Sequence, residues 1–247
     1  MRTTYVTMNM AMQKLSQLFW GVWLFVPVVA QCQGTFKNLN FESPLTPLVP
    51  IGPFNEVAAT SAVPGWTVYL GTSIYPQVRY NQVSIGTAAV SLIGPGQANG
   101  VLEGAYTVAL YPGPSPLAAE RVSTSVEQSG EIPSDARSVS FDVILFAGVG
   151  QVSVSFLDHA LAIVPLESAP AIPGSLQHVR FGADVSGFAG LFGALRFTVP
   201  PLTGYANTIY LDAIEFSSSP IPEPARGTLF ALGVAAWLWP KQKRQRM

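Results

Sequence analysis

Between residues 35 and 216 no helical period lasts longer than two turns, which leaves sheet as the regular structure open to the body of this chain. Short alternating runs stand in its place. In Val152-Ser-Val-Ser-Phe156 and Ser138-Val-Ser-Phe-Asp-Val-Ile144 every second side chain is apolar, as a half-buried strand requires. Pro64-Gly65, Gly94-Pro-Gly96, Pro112-Gly-Pro114 and Pro173-Gly174 cut the runs apart. The predicted strands are 36–41, 66–70, 77–84, 88–93, 106–111, 122–128, 138–146, 151–157, 161–165, 177–181, 195–199 and 208–216. So many short strands, with 22 Gly and 21 Pro in 247 residues, predict an all-β fold. The expected form is a single jelly-roll β-sandwich over residues 31–218, with two small domains as the alternative. No clean Ser/Gly/Pro linker divides the segment, which favours one domain.

The formal net charge of −1 conceals a segregation. All 14 acids lie between Glu42 and Glu223, but only six of the 13 basic residues lie within 31–224: Lys37, Arg79, Arg121, Arg137, Arg180 and Arg196. Residues 31–224 therefore carry about −8, a balance that repels phosphate and argues against nucleic acid as a partner. It suits an exported domain, or one that gathers cations. Cys32 is the single cysteine, so no disulfide can form within the chain and the core alone must hold the fold. Gln31 before it departs from the small residue that a lipidation signal wants.

The two ends read as addresses. Residues 1–17 carry Arg2 and Lys14 and no acid, and an apolar run from Leu18 follows, closing on Val28 and Ala30. A basic start, an apolar stretch and a small-residue exit describe a secretory signal (1–30) cut by signal peptidase after Ala30. At the other end stand Pro222-Glu223-Pro224, the apolar run 228–239 and the basic residues Lys241, Lys243, Arg244 and Arg246. The run is shorter than the ~20 residues of a lasting membrane span, and the basic residues would stop it on the cytoplasmic side. A helix this short suits a temporary anchor.

In that order, residues 219–247 resemble the PEP-CTERM sorting tail of Gram-negative bacteria, with Arg226 as a departure just inside the helix start. The resemblance implies recognition by an exosortase, cutting near the triplet, and display at the cell surface or in an exopolysaccharide matrix after a transient stay in the inner membrane. The expected chain is thus a sandwich flanked by an N-terminal signal helix and a C-terminal sorting helix.

The body carries a looser likeness. Asn38-Leu-Asn-Phe-Glu42, Val63-Pro-Gly-Trp66 and Ile209-Tyr-Leu-Asp-Ala-Ile-Glu-Phe216 resemble the opening and closing strands of galactose-binding-like domains and carbohydrate-binding modules. That resemblance implies pairing of the first and last strands and a structural Ca²⁺ held by Glu42 and Asp212, with Asn40 as a third ligand. It also implies sugar stacking on exposed aromatic faces. Tyr69, Tyr75 and Tyr80 are the candidates, drawn from a pool that includes Tyr106 and Tyr111, with Arg79 and Asn81 as neighbours. Trp66 after Pro-Gly reads as core. The bland alternative for each tyrosine is cross-strand packing.

No nucleophile or metalloprotease signature stands in the sequence, and neither His159 nor His178 sits with a second ligand at metal spacing. Gly94 to Gly100 imitates a nucleotide loop with the spacing off by one. The expected function is therefore a non-enzymatic, exported surface or matrix protein that binds polysaccharide. Two alternatives stay open: an exported glycan-active enzyme on a β-sandwich, whose paired carboxylates sequence cannot reveal, and a permanently anchored structural membrane protein.

Overall fold

The computed structural model describes residues 34–82, 86–97, 100–117, 120–146, 150–168, 175–202 and 207–221. The signal segment, Cys32, the Pro222-Glu223-Pro224 triplet and the basic cluster Lys241, Lys243, Arg244 and Arg246 lie outside them. Among the described residues no helix is long and apolar enough to cross a membrane.

Sixteen strands are described. The first eight are β1 (Glu56–Ala58), β2 (Thr67–Leu70), β3 (Ser73–Ile74), β4 (Gln77–Tyr80), β5 (Ala89–Ile93), β6 (Thr107–Tyr111), β7 (Gly113–Pro114) and β8 (Arg121–Val122). Then come β9 (Thr124–Glu131), β10 (Ser138–Phe146), β11 (Ser153–Phe156) and β12 (His159–Ala160). The last are β13 (Ile163–Ser168), β14 (Leu176–Asp184), β15 (Phe192–Val199) and β16 (Ile209–Ser217). An eight-stranded sheet runs β1-β4-β5-β6-β16-β10-β14-β13, and a six-stranded sheet runs β12-β11-β15-β9-β2-β3. Neighbours are antiparallel except β4 and β5, which run parallel. The arrangement is a β-sandwich, as the alternation predicts.

The period-2 pattern is what makes the layers. In β15, Gly193, Leu195, Phe197 and Val199 are buried while Phe192, Ala194, Arg196 and Thr198 alternate outward. In β10, Val139, Phe141, Val143 and Leu145 face the same core from the larger sheet. Five rings bind the layers together. Phe41 lies 5.4 Å from Trp66, Trp66 lies 6.2 Å from Phe197, and Phe197 meets Phe141 edge-on at 5.1 Å. Phe141 stacks on Phe181 at 5.8 Å. Tilted and edge-on pairs of this kind add to the burial of their faces.

One expected strand is absent. Phe36, Leu39 and Phe41 are buried, but 36–41 is not paired as a strand, because Asn38 (φ 51°) and Phe41 (φ 55°) turn left-handed and break the ladder. Phe36, Leu39 and Phe41 instead plug the end of the sandwich. The Gln128 side chain, inside the core, stands in for a neighbouring strand: its Oε1 accepts from Lys37 N–H and its Nε2 donates to the Lys37 carbonyl. On the other sheet, Ile214 N–H donates to the Leu39 carbonyl at 3.2 Å and Phe36 stacks on Phe216 at 5.4 Å. The expected pairing of first and last strands is thus reduced to one backbone bond. β16 pairs with β6 and β10 instead.

Trp66, 4% exposed, is core as expected, and its Nε1–H donates to the Asn38 carbonyl at 3.0 Å. Replacing Trp66 with Phe removes one of the two donors on that carbonyl, the other being Phe41 N–H at 3.2 Å, and urea unfolding should register a loss of about 0.5–1.5 kcal/mol. Trp66→Ala also opens a cavity, and the loss should grow to about 3–5 kcal/mol. Equal stability of Trp66→Phe and wild type would show that the plug is held by apolar contact alone.

Candidate functional site

Glu42 and Asp212 do converge. They meet on the turn that ends the connection from β5 to β6. Glu42 Oε1 accepts from the N–H groups of Ala105 and Tyr106, each at 2.8 Å. Asp212 Oδ2 accepts from Glu103 N–H at 3.3 Å and Thr107 Oγ1–H at 2.5 Å, and the same Thr107 oxygen accepts from Leu102 N–H at 2.9 Å. A bulge in β16 sets this up: the register against β10 shifts between Ser140 and Asp142, and Ala213 takes φ 49°. Asp212 then faces outward from the sheet yet is 0% exposed. Gly104, at φ +61°, lies so close to Glu42 that a β-carbon would stand 2.5 Å from Oε1, so a larger residue would strain the backbone and push the Glu42 carboxylate aside. Burial, opposed by these hydrogen bonds and helped by the Glu42 charge, pushes the Asp212 pKa up to about 7.

This donor set does not fit the expected calcium. Ca²⁺ takes six to eight oxygens, whereas five N–H and O–H groups, counting the Ala213 N–H on Asp212 Oδ1, already claim the two carboxylates. Asn40 Oδ1 accepts from Glu42 N–H at 3.4 Å. Among the described residues no group of three His, Cys, Asp or Glu side chains gathers anywhere. What the pair does is pin the turn to the outer face of the larger sheet.

The three candidate tyrosines do not form one platform. Tyr69 lies on the outer face of the six-stranded sheet, donates to Glu127 Oε1 at 3.1 Å, and has the Arg196 guanidinium 4.3 Å from its ring centroid. Arg196 is in turn bound to Glu127 at 2.6 Å, so the cluster is closed on itself. Tyr80 packs against the core. Of the wider pool, Tyr106 also packs on the core and Tyr111 is buried on the outer face of the larger sheet. A second charged cluster on that face ties Asp142 and Glu215 to Arg180, at 3.4 and 2.6 Å.

Tyr75 packs on the core as Tyr80 does, and it also borders a cleft. The chain crosses there from β3 in the smaller sheet to β4 in the larger, and Tyr75 lines a cleft of about 30 Å³ with Glu56, Gln77, Arg79, Ala89 and Pro116. Burial and then the Glu56 charge raise the Tyr75 pKa, so its hydroxyl is a neutral donor. Arg79 is 6% exposed. Its Nη2 donates to Thr87 Oγ1 at 3.0 Å, but its Nη1 is buried with no partner. Phe54, 47% exposed, sits with its ring centroid 5.8 Å from the guanidinium carbon. It gets there through consecutive left-handed residues, Phe54 (φ 67°) and Asn55 (φ 52°), a strained arrangement of the sort that collects at functional sites. Sequence reading placed Arg79 only as a neighbour and missed Phe54, Glu56, Gln77 and Pro116, which come together only through the crossing between sheets. A faint signal was available: an arginine inside a short strand whose neighbouring strand starts at Ala89, just after the equally small Ala88.

No protein-family profile matches the chain, and no curated protein matches it either. Among solved structures it is similar to TmCBM61, a structure solved in complex with β-1,4-galactotriose, at 14% identity over 75% of this chain and 98% of that one, with a TM-score of 0.37. The K1 cleaved adhesin domain of Lys-gingipain from Porphyromonas gingivalis W83 is similar at 13% identity, over 66% and 97%, TM-score 0.41. A cyclase from Fischerella sp. TAU is similar at 14%, over 76% and 97%, TM-score 0.43. Likenesses this distant carry nothing about chemistry.

The Asp212 shift has a sign that can be measured. A folded-state pKa raised from 3.8 to about 7 means that the folded protein holds this proton more tightly than the unfolded chain. That stability is fully present below pH 3.8 and is lost as pH rises toward 7. The depressed Asp184 acts only at lower pH. Melting temperature should therefore fall by several degrees between pH 4.5 and 8, and Asp212→Asn should flatten the profile over that window. A wild-type profile already flat there would contradict the pinned-turn account.

Proposed function

We propose that this chain is an exported surface or matrix protein whose β-sandwich, of jelly-roll type, binds polysaccharide at the cleft of Tyr75 and Arg79 and carries out no chemistry of its own. The single observation that carries the binding is Arg79: a guanidinium N–H buried beside a cleft, with no acceptor. Buried donors are costly when unmet, so this one calls for a ligand oxygen. Around it stand the parts that sugar recognition uses. Phe54 and Pro116 give apolar surface for pyranose faces, Tyr75 adds a ring and a hydroxyl, and Gln77 and Glu56 offer further donors and acceptors.

A non-enzymatic role is supported by what occupies the carboxylates. Asp142 and Glu215 are tied to Arg180, and Glu42 and Asp212 to the turn before β6. Export and display rest on the ends of the sequence: the signal segment 1–30, then Pro222-Glu223-Pro224, the short apolar run and Lys241, Lys243, Arg244 and Arg246. In this reading signal peptidase and an exosortase act on the chain in turn, and the inner membrane holds it only in passing.

Affinity electrophoresis through gels cast with a panel of polysaccharides tests the cleft. Tyr75→Ala and Arg79→Gln should each weaken retardation at least tenfold, which corresponds to ~1.4 kcal/mol. Tyr69→Phe and Tyr80→Phe should not. The opposite order would move the site to another surface. Mass spectrometry of secreted and cell-bound material should find chains ending near Pro224 and lacking residues 1–30. Mature protein that still carries Met247 would end the sorting account.

A further inference from the structure

Arg79 says more than that a ligand is present. Its guanidinium is a full positive charge at 6% exposure, and among the described residues no carboxylate comes within ion-pairing distance of it. A buried charge without a counter-charge is far costlier than an unmet neutral donor, because water no longer solvates it. Phe54 relieves part of this with its ring face, and Thr87 supplies one neutral acceptor. Neither is an anion.

The nearest acid does not serve. Glu56 stands opposite Arg79 in the register of β1 against β4, but its carboxylate is drawn toward Gly52, where Oε2 occupies the place a β-carbon would need. That contact belongs to the bridge between Gly52 and Glu56 at the edge of the sheet. Glu56 is also partly solvated, so its charge is screened, whereas that of Arg79 is not. The same position explains why Glu56 acts on the Tyr75 hydroxyl and makes no pair with Arg79.

A second buried polar group lies close by. Tyr111 on β6 has a buried hydroxyl that meets the Tyr210 side chain. It is diagonal to Arg79 across β5, through the pairs Arg79 with Ser91 and Ala89 with Tyr111. Burial and then the Tyr210 hydroxyl raise its pKa, and Arg79 is near enough to pull it partly back down. The open N–H of the Arg79 cation is a donor that a carboxylate oxygen accepts from, with charge assisting the bond. The cleft, at about 30 Å³, admits a group of that size and excludes a sugar ring, which would rest at the mouth on Phe54 and Pro116.

We infer that the ligand of this cleft is an acidic polysaccharide, and that a uronate carboxylate enters beneath the pyranose to pair with Arg79. This rests on the polysaccharide-binding reading above and names the class of sugar. The net −8 of residues 31–224 does not forbid it, since long-range repulsion is screened beyond about 8 Å at physiological ionic strength. A buried pair is not.

Isothermal titration of the mature protein isolated from cells, with a uronic acid tetramer and with its carboxyl-reduced, neutral counterpart, decides the matter. The acid should bind at least tenfold tighter. Arg79→Gln should erase that preference without lowering the melting temperature, since it removes an unpaired buried charge, and Arg79→Lys should restore part of the preference. Glu56→Gln should leave the preference in place. Equal binding of the two tetramers would overturn the acidic assignment and leave the glycan reading standing, while failure to bind either, or any sugar in the gel panel, would remove the glycan reading itself. A preference that survives in Arg79→Gln would place the carboxylate elsewhere and sink the inference.

Discussion

Residues 35–43 hold the two sheets of this protein together at one end, and the aromatic stack through the core begins from them. They do it without strand pairing. Asn38 is the centre: its carbonyl takes the Trp66 indole N–H, its Nδ2 donates to the Pro64 carbonyl at 3.3 Å, and its Oδ1 accepts from Ser43 N–H at 2.9 Å. Gln128 ties the same segment to the smaller sheet and Ile214 to the larger. With no disulfide available, this polar bolt fixes where Phe41 and Trp66 sit, and hence where Phe197, Phe141 and Phe181 can stack. A buried polar group that is fully satisfied specifies one arrangement, whereas apolar contact alone tolerates several.

The outer face of the larger sheet treats its buried charges in two opposite ways. Asp212 is provided for completely. Thr107, Glu103 and Ala213 supply hydrogen bonds, and a pKa near 7 lets a proton remove the charge when burial makes it costly. Arg79 has no such escape, since a guanidinium does not give up its proton at any ordinary pH. The protein leaves it half-bonded beside an opening and holds Phe54 over it by a strained turn. One charge is met by the fold, and the other is met only in part.

Much of the fold was legible, for a simple reason. Strands advertise themselves by a period of two that depends only on which side faces the core, so 138–146 and the alternation around Val154 could be read directly, and so could the core role of Trp66. The plug at 36–41 was misread because buried Phe36, Leu39 and Phe41 leave the same apolar trace as a strand would, while the left-handed turns at Asn38 and Phe41 leave almost none. The meeting of Glu42 with Asp212 was expected, yet its chemistry was not. Whether two carboxylates face a cation or a row of N–H donors depends on the path of the turn at Gly104, about a hundred residues from one of them.

What the sequence settled by itself was therefore local or cumulative: sheet in place of helix, an acidic body between basic ends, a core without a disulfide, and the order of signals at the tail. Each follows from residue type and spacing along the chain. Tertiary structure alone decided which side chains lack partners. Tyr69 and Arg196 look as promising in sequence as Tyr75 and Arg79, but the first pair closes on Glu127 and the second opens on a cleft. That difference arises because β3 and β4, three residues apart, belong to different sheets, and it appears only when the whole sandwich is assembled.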